Sequence, residues 1–208
     1  IIVLAGFSKA LFAQFGNCTA SEMQTYTDRE TGNTITILTD TLKNDRFLYQ
    51  TDPMWTHDGK YLLFRSSSRA NDKKIERTLP NGEKRSWTPT QIYFIEMATG
   101  QIIQATEGPD LGSAFLANKS NRMFISRKEK EDWNMYVMDL DKFFADVKKG
   151  KIGKPTAYET LLGTFPTSMG RPGGYAIDCN DDYAYITVER EGTEEEKERA
   201  GAANLVEF

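Results

Sequence analysis

PMWTHDGKYLLFRS, residues 53–66, reads as a short strand, a turn at His57-Asp58-Gly59 and a second strand at Tyr61–Arg65. The same design returns as SAFLANKSNRMFISR (113–127) and as GYAIDCNDDYAYITVER (174–190). Aligning Tyr61 with Met123 and Tyr183 sets the copies 62 and 60 residues apart. A second element repeats out of phase with the first, as TDRETGNTITILTD (27–40) and EMATGQIIQATEG (96–108). Each copy turns at a Thr-Gly pair, Thr31-Gly32 or Thr99-Gly100. Together the two elements make a unit of four strands with a periodicity of two from Met23 onward. Such a unit repeated at a fixed period predicts an all-β fold built of propeller blades.

The chain parses into about three blades. Residues 23–40 supply two strands with no preceding pair, expected to complete the last blade of the ring. One blade spans 50–107, a second 111–164, and a third begins at 172 and is incomplete at 208. Closed propellers have roughly four to eight blades, so the expectation is the N-terminal portion of a larger ring. Three insertions decorate the frame. Residues 70–90 hold a Pro80-Asn81-Gly82 turn suited to a long hairpin, and residues 141–151 (DKFFADVKKGK) predict a short helix with Asp141 as its N-cap. Residues 193–203 predict a second, charged helix.

The first residues, IIVLAGFSKALFAQFG (1–16), resemble the apolar region of a signal peptide with a small-residue cleavage point near Ala13. The segment is too short to span a membrane, so the expectation is an exported protein, periplasmic or secreted, with no stable membrane span. Of 208 residues 39% are hydrophobic, enough for a sizeable core. Thirty acidic against 26 basic residues leave no basic field for nucleic acid. Cys18 and Cys179 stand far apart with no CxxC pair, which argues against a structural zinc site.

In a propeller the crossings from one blade to the next surround the mouth of the central channel, and here they are 43–50, 108–112 and 167–174. Arg46, Tyr49, Gln50 and Arg171 are the candidate substrate-binding residues on them. Arginine forks a carboxylate, and tyrosine offers a stacking face and a hydroxyl, which suits an acidic sugar. The competing reading pairs Arg46 with Asp45 or Asp52 and packs Tyr49 between blades. His57, the one histidine, sits in a turn on the opposite face and is expected to be exposed. Ser66-Ser67-Ser68 reads as loop. No catalytic or metal-binding constellation is visible in the sequence.

The stretch from ETGNTITILTD through NDRFLYQ and WTHDGKYLLF to QIYFIEMATGQIIQATEG resembles the N-terminal half of the oligogalacturonate lyases. The similarity continues through WNMYVMDL and GGYAIDCNDDYAYITVE. It implies a seven-bladed propeller that cleaves acidic oligosaccharides from pectin by β-elimination with Mn²⁺, whose ligands and histidine base belong to later blades. On that implication the full-length protein is a polysaccharide lyase and this portion alone is inactive. The insertion at 70–90 and the lack of histidine in the first mouth loop depart from the family pattern. Two other readings of the hairpin type stay open: a non-catalytic periplasmic propeller of the Tol system that binds proteins, and the propeller preceding a serine peptidase domain. A Gln-x-x-His-x-His spacing in further sequence favours the lyase, and a GxSxG elbow the peptidase.

Overall fold

The computed structural model describes residues 14–70, 74–78, 82–108, 111–130, 132–166, 171–189 and 204–207. In chain order the first strands are β1 (Cys18–Thr19), β2 (Gln24–Thr27), β3 (Thr34–Ile37), β4 (Asp45–Arg46) and β5 (Tyr61–Ser66). Then come β6 (Ile75–Thr78), β7 (Lys84–Trp87), β8 (Gln91–Glu96), β9 (Ile102–Gln104), β10 (Leu111–Leu116) and β11 (Arg122–Glu129). They are followed by β12 (Asp132–Asp139), helix α1 (Leu140–Lys148), a 3₁₀ turn at Pro155–Ala157, β13 (Glu159–Pro166), β14 (Arg171–Ile177), β15 (Ala184–Glu189) and β16 (Asn204–Glu207).

These strands build three antiparallel blades. The first has the order β1-β9-β8-β5-β4, the second β10-β11-β12-β13 and the third β14-β15-β16. The β2–β3 and β6–β7 hairpins stand as separate two-stranded sheets. The fold is therefore the all-β propeller type read from the repeat. Middle strands such as β5 (YLLFRS) and β8 (QIYFIE) are buried at almost every position, because blade two and helix α1 cover one face while Phe64, Tyr93 and Ile95 on the other pack with Leu38 and Met97.

Side chains sort by face as period two requires. Tyr61, Leu63, Ile92 and Phe94 meet Leu116, Met123 and Ile125 in one core between the first two blades. Phe115, Phe124 and Phe165 meet Ala184 and Ile186 in a second core between blades two and three. Helix α1 closes the first core with Phe143, Phe144 and Val147, and Tyr61 stacks on Phe144 at 3.6 Å between centroids. Each such buried ring contributes roughly 1.5–3 kcal/mol.

The structure corrects the repeat register. Trp55 pairs with Leu62, Leu116 with Met123, and Ile177 with Ala184, which makes both offsets 61. The hairpin turns agree: the amides of Thr56, Ala117 and Asp178 donate to the carbonyls of Tyr61, Arg122 and Tyr183. Tyr61 therefore corresponds to Arg122. Matching it to Met123 follows residue size and slips the strand by one, which moves every side chain to the other face. The Thr-Gly turns match as read. Gly32 and Gly100, at φ of 71° and 72°, donate to the carbonyls of Asp28 and Glu96, and only glycine takes that left-handed corner without strain.

Three local expectations also change. The innermost strand of blade one does not run over 52–55. Its paired part is β4, inside the stretch read as a mouth loop, and 47–53 bulges away before Trp55 rejoins the sheet by a single bridge. Pro53 has no amide for the ladder, and the Asp52 amide is spent on the Tyr49 carbonyl at 2.8 Å. Helix α1 is capped by Asp139, whose carboxylate accepts from the Lys142 amide at 2.9 Å, and not by Asp141. Strand β1, which the sequence reading did not find, adds a fifth strand outside β9.

Phe15 and Gly16, grouped by sequence with the leader, belong to blade one. Phe15 is buried against Phe143 and Tyr158, and Gly16 donates to Gln104. Residues 1–13 and the predicted helix at 193–203 lie outside the described residues. No helix among those described is long and apolar enough to cross a membrane.

Candidate functional site

A cleft of about 690 Å³ opens where the bulged inner strand of blade one faces the start of β10 in blade two. Arg46, Tyr49, Asp52, Arg65, Trp87 and Ser113 are among its lining residues. Two of the four sequence candidates, Arg46 and Tyr49, thus come together. Gln50 is exposed but does not line the cleft, and the Arg171 side chain lies outside what the structure describes, although its backbone begins β14.

Arg46 and Arg65 stand directly opposite each other in the β4–β5 ladder, so both guanidinium groups leave the same face. Like charges in that relation destabilise a sheet by several tenths of a kcal/mol. Neither has a carboxylate within salt-bridge distance among the described residues. The two acids proposed as local partners behave otherwise. Asp45 is taken by Arg69, and Asp52 turns its backbone into the Tyr49 turn without an ion pair to Arg46. Tyr49 is 67% exposed and so is not an inter-blade packing residue.

The other blades show what an unmodified inner strand looks like. With the 61-residue register, Arg65 corresponds to Ser126 and Thr187. Ser126 is fully buried, and its hydroxyl accepts the Ser113 amide at 2.9 Å inside a two-residue bulge. Gly112 fits there because a Cβ would strike the Ser126 hydroxyl and the Trp133 ring. Blade one instead places an arginine at this position and widens the bulge to 47–53. Bulges of this kind re-aim side chains beside binding sites. Arg65 was missed by sequence because the register error set it against Arg127 and hid its contrast with the buried Ser126. Trp87, the last residue of β7, was passed over as part of a polar insertion.

Behind the arginine pair lies a buried charge cluster. Arg69, only 7% exposed, forks Glu22 at 2.9 and 2.6 Å and Asp45 at 2.9 and 2.6 Å. Glu22 also accepts the Asp40 amide at 2.8 Å. The hydrogen bonds from Arg69 hold the Glu22 carboxyl down at about 2. The cluster anchors Asp45 and hence the neighbouring Arg46. Asn44 is latched as well, through Ser67 and Ser68, so the serine run is structural.

His57 is exposed and far from this chemistry in its bonding. Its Nδ1 lies 2.9 Å from the Asn118 carbonyl, across to the turn of blade two. Blade three is tied on similarly, with buried Asp181 accepting from the Asn118 and Lys119 amides at 2.6 and 2.8 Å.

No family model matches the sequence, and no curated protein does. Among solved structures, the chain matches an oligogalacturonate lyase in complex with manganese at 18% identity and a TM-score of 0.58. The chain is folded like an oligogalacturonate lyase. A second such lyase, from Vibrio parahaemolyticus, matches at 19% identity and a TM-score of 0.57. The matches cover 84% and 83% of this chain but 38% and 37% of the lyase chains, so it spans well under half their length. At this identity the likeness establishes the fold. Among the described residues no three His, Cys, Asp or Glu side chains converge on a metal position.

Proposed function

We propose that this chain is part of an exported lyase that cleaves oligogalacturonate by β-elimination, and that the cleft between its first two blades binds the carboxylates of that substrate. The observation that carries the reading is the Arg46–Arg65 pair. Two guanidinium groups are opposed across a ladder, face a cleft and lack a counter-charge among the described residues. An arrangement that costs stability while empty is repaired by an anion, and guanidinium forks fit a carboxylate in two-point contact. Tyr49 adds an exposed ring and hydroxyl beside them, which suits a sugar better than an inorganic anion. The resemblance to the oligogalacturonate lyases supports the uronate as the acid in question.

In β-elimination a base removes the proton on the carbon α to the carboxylate. Its electron pair forms a C=C bond, and the glycosidic C–O bond breaks with the sugar oxygen as leaving group. Charge builds on the carboxylate meanwhile, so cations fixed on it lower the barrier. Arg46 and Arg65 are suited to that binding role. None of the described residues is assigned as the base, since the single histidine is a blade-to-blade contact.

The test is incubation of the full-length protein with oligogalacturonate and added Mn²⁺, followed in the near ultraviolet where the unsaturated product absorbs. Absorbance should rise with the wild type and be strongly reduced in Arg46→Ala with Arg65→Ala. A wild type that neither binds nor cleaves the oligosaccharide would overturn the proposal.

A further inference from the structure

Blade two joins its second and third strands through residues 130–131 alone, whereas blade one uses residues 67–90 for the same connection. The described part of that insertion forms a hairpin. Its β6 and β7 strands pair from Ile75–Trp87 to Thr78–Lys84, and Pro89 then leads the chain stiffly into β8. The return limb of the hairpin, Trp87 through Thr90, forms one wall of the cleft. Trp87 is at the cleft end of β7 and 42% exposed. A tryptophan serves no core from there, and its cross-strand position opposite Ile75 fixes the backbone that carries it.

From this placement the geometry points to Trp87 as a sugar-binding platform: the insertion hairpin supplies a second subsite, for the ring adjoining the one whose carboxylate Arg46 and Arg65 hold. An indole face presents a flat apolar area to the C–H face of a sugar ring while polar groups fix the rest of the ligand. The inference rests on the oligogalacturonate reading and deepens it. Blade two joins the same strands without a hairpin, so making a blade does not require it. Its consequence is that affinity depends on chain length, because a single residue of galacturonate occupies the arginine pair without reaching Trp87.

The experiment is calorimetric titration of the full-length protein with galacturonate and with trigalacturonate, using wild type, Trp87→Ala, Trp87→Phe and Arg46→Ala, each checked for a wild-type far-ultraviolet circular dichroism spectrum and a cooperative thermal melt. Trp87→Ala should weaken trigalacturonate by about tenfold and leave galacturonate within about twofold, while Trp87→Phe keeps most of the affinity. Arg46→Ala should weaken both ligands. Trisaccharide affinity that is unchanged in Trp87→Ala but reduced in Arg46→Ala overturns the platform and leaves the cleft reading standing. If the wild type binds neither ligand, or if Arg46→Ala changes nothing, the cleft reading falls and the subsite with it. A Trp87→Phe variant as weak as the alanine one would also count against stacking.

Discussion

Replacing Arg69 by methionine isolates the cluster that anchors the arginine pair. Methionine keeps much of the side chain's apolar stem but removes the cation, together with its place over the Phe64 ring. Two carboxylates then lose their paired cation, Asp45 at 9% exposure and Glu22 at 24%, and Glu22 keeps only the Asp40 amide. Removing one member of a buried ion pair costs about 3–5 kcal/mol, and the partial exposure of Glu22 puts the expected loss near the lower figure. For a chain of this size that is a fall in Tm of roughly 10 °C. The loss must also depend on pH with a definite sign. Glu22 has a folded-state value depressed to about 2 by its bonds from Arg69, so its contribution is present above the unfolded value near 4.5 and disappears as pH falls toward 2. The wild type therefore loses stability through that window, whereas the variant has no such contribution to lose. The gap in Tm between them should narrow on acidification, as read by thermal circular dichroism from pH 7 to pH 3. A variant that melts within roughly 2 °C of wild type at pH 7, or a gap that widens in acid, would refute the assigned role of the cluster.

Other perturbations probe the cleft and the blade contacts. Arg65→Ala should leave stability unchanged or raise it by up to about 0.5 kcal/mol, because it relieves the opposed charges, while trigalacturonate affinity drops about tenfold or more in calorimetry. Gly112→Ala drives a Cβ into the Ser126 hydroxyl and the Trp133 ring, and should cost about 1–3 kcal/mol in urea unfolding without moving the urea m-value. Asp181→Ala strips the amides of Asn118 and Lys119 and the Ser120 hydroxyl of their acceptor, for a loss of about 2 kcal/mol and faster amide exchange at Asn118 and Lys119. His57→Ala should leave lyase activity within about twofold of wild type, as a surface contact far from the cleft chemistry should.

How much of this was legible in the chain depends on which signals are local. The Thr-Gly turns were readable because a left-handed corner demands glycine and the threonine before it bonds back to Asp28 or Glu96. The helix at 140–148 was readable from its apolar face, but its cap was misplaced because Asp139 and Asp141 are equally good residues and only the amide geometry separates them. The repeat was legible and its register was not. Register is set by which residue closes the hairpin, and sequence similarity weighs side-chain bulk instead. That single slip concealed Arg65, since it set the arginine against Arg127 rather than against the buried Ser126. The short strand β1 carries no pattern of its own and exists because Ile102 and Ile103 of β9 offer it an edge.

A repeated scaffold supplies its own control for function. Blades one and two share the hairpin turn, the strand order and the 61-residue spacing, so what differs between them is not required for making a blade. Three differences stand out in blade one: the bulge widened to 47–53, the arginine that replaces a buried hydroxyl, and the hairpin inserted at 67–90. The first two lie on the inner strands and the third between the second and third strands, where Ser67, Ser68 and Arg69 at its root hold Asn44 and Asp45 beside the bulge. Residues from all three line the same cleft. Departures that were tolerated drift in loops would scatter over the surface. Their convergence on one cavity, with opposed cations and an exposed indole, supports the proposed binding site. It follows that moving blade one toward the blade-two pattern, with Arg65→Ser, a two-residue bulge and a tight turn that replaces the β6–β7 hairpin but keeps Ser67, Ser68 and Arg69, should leave the blade folded and abolish oligosaccharide binding. Loss of folding instead would mean that these segments belong to the frame after all.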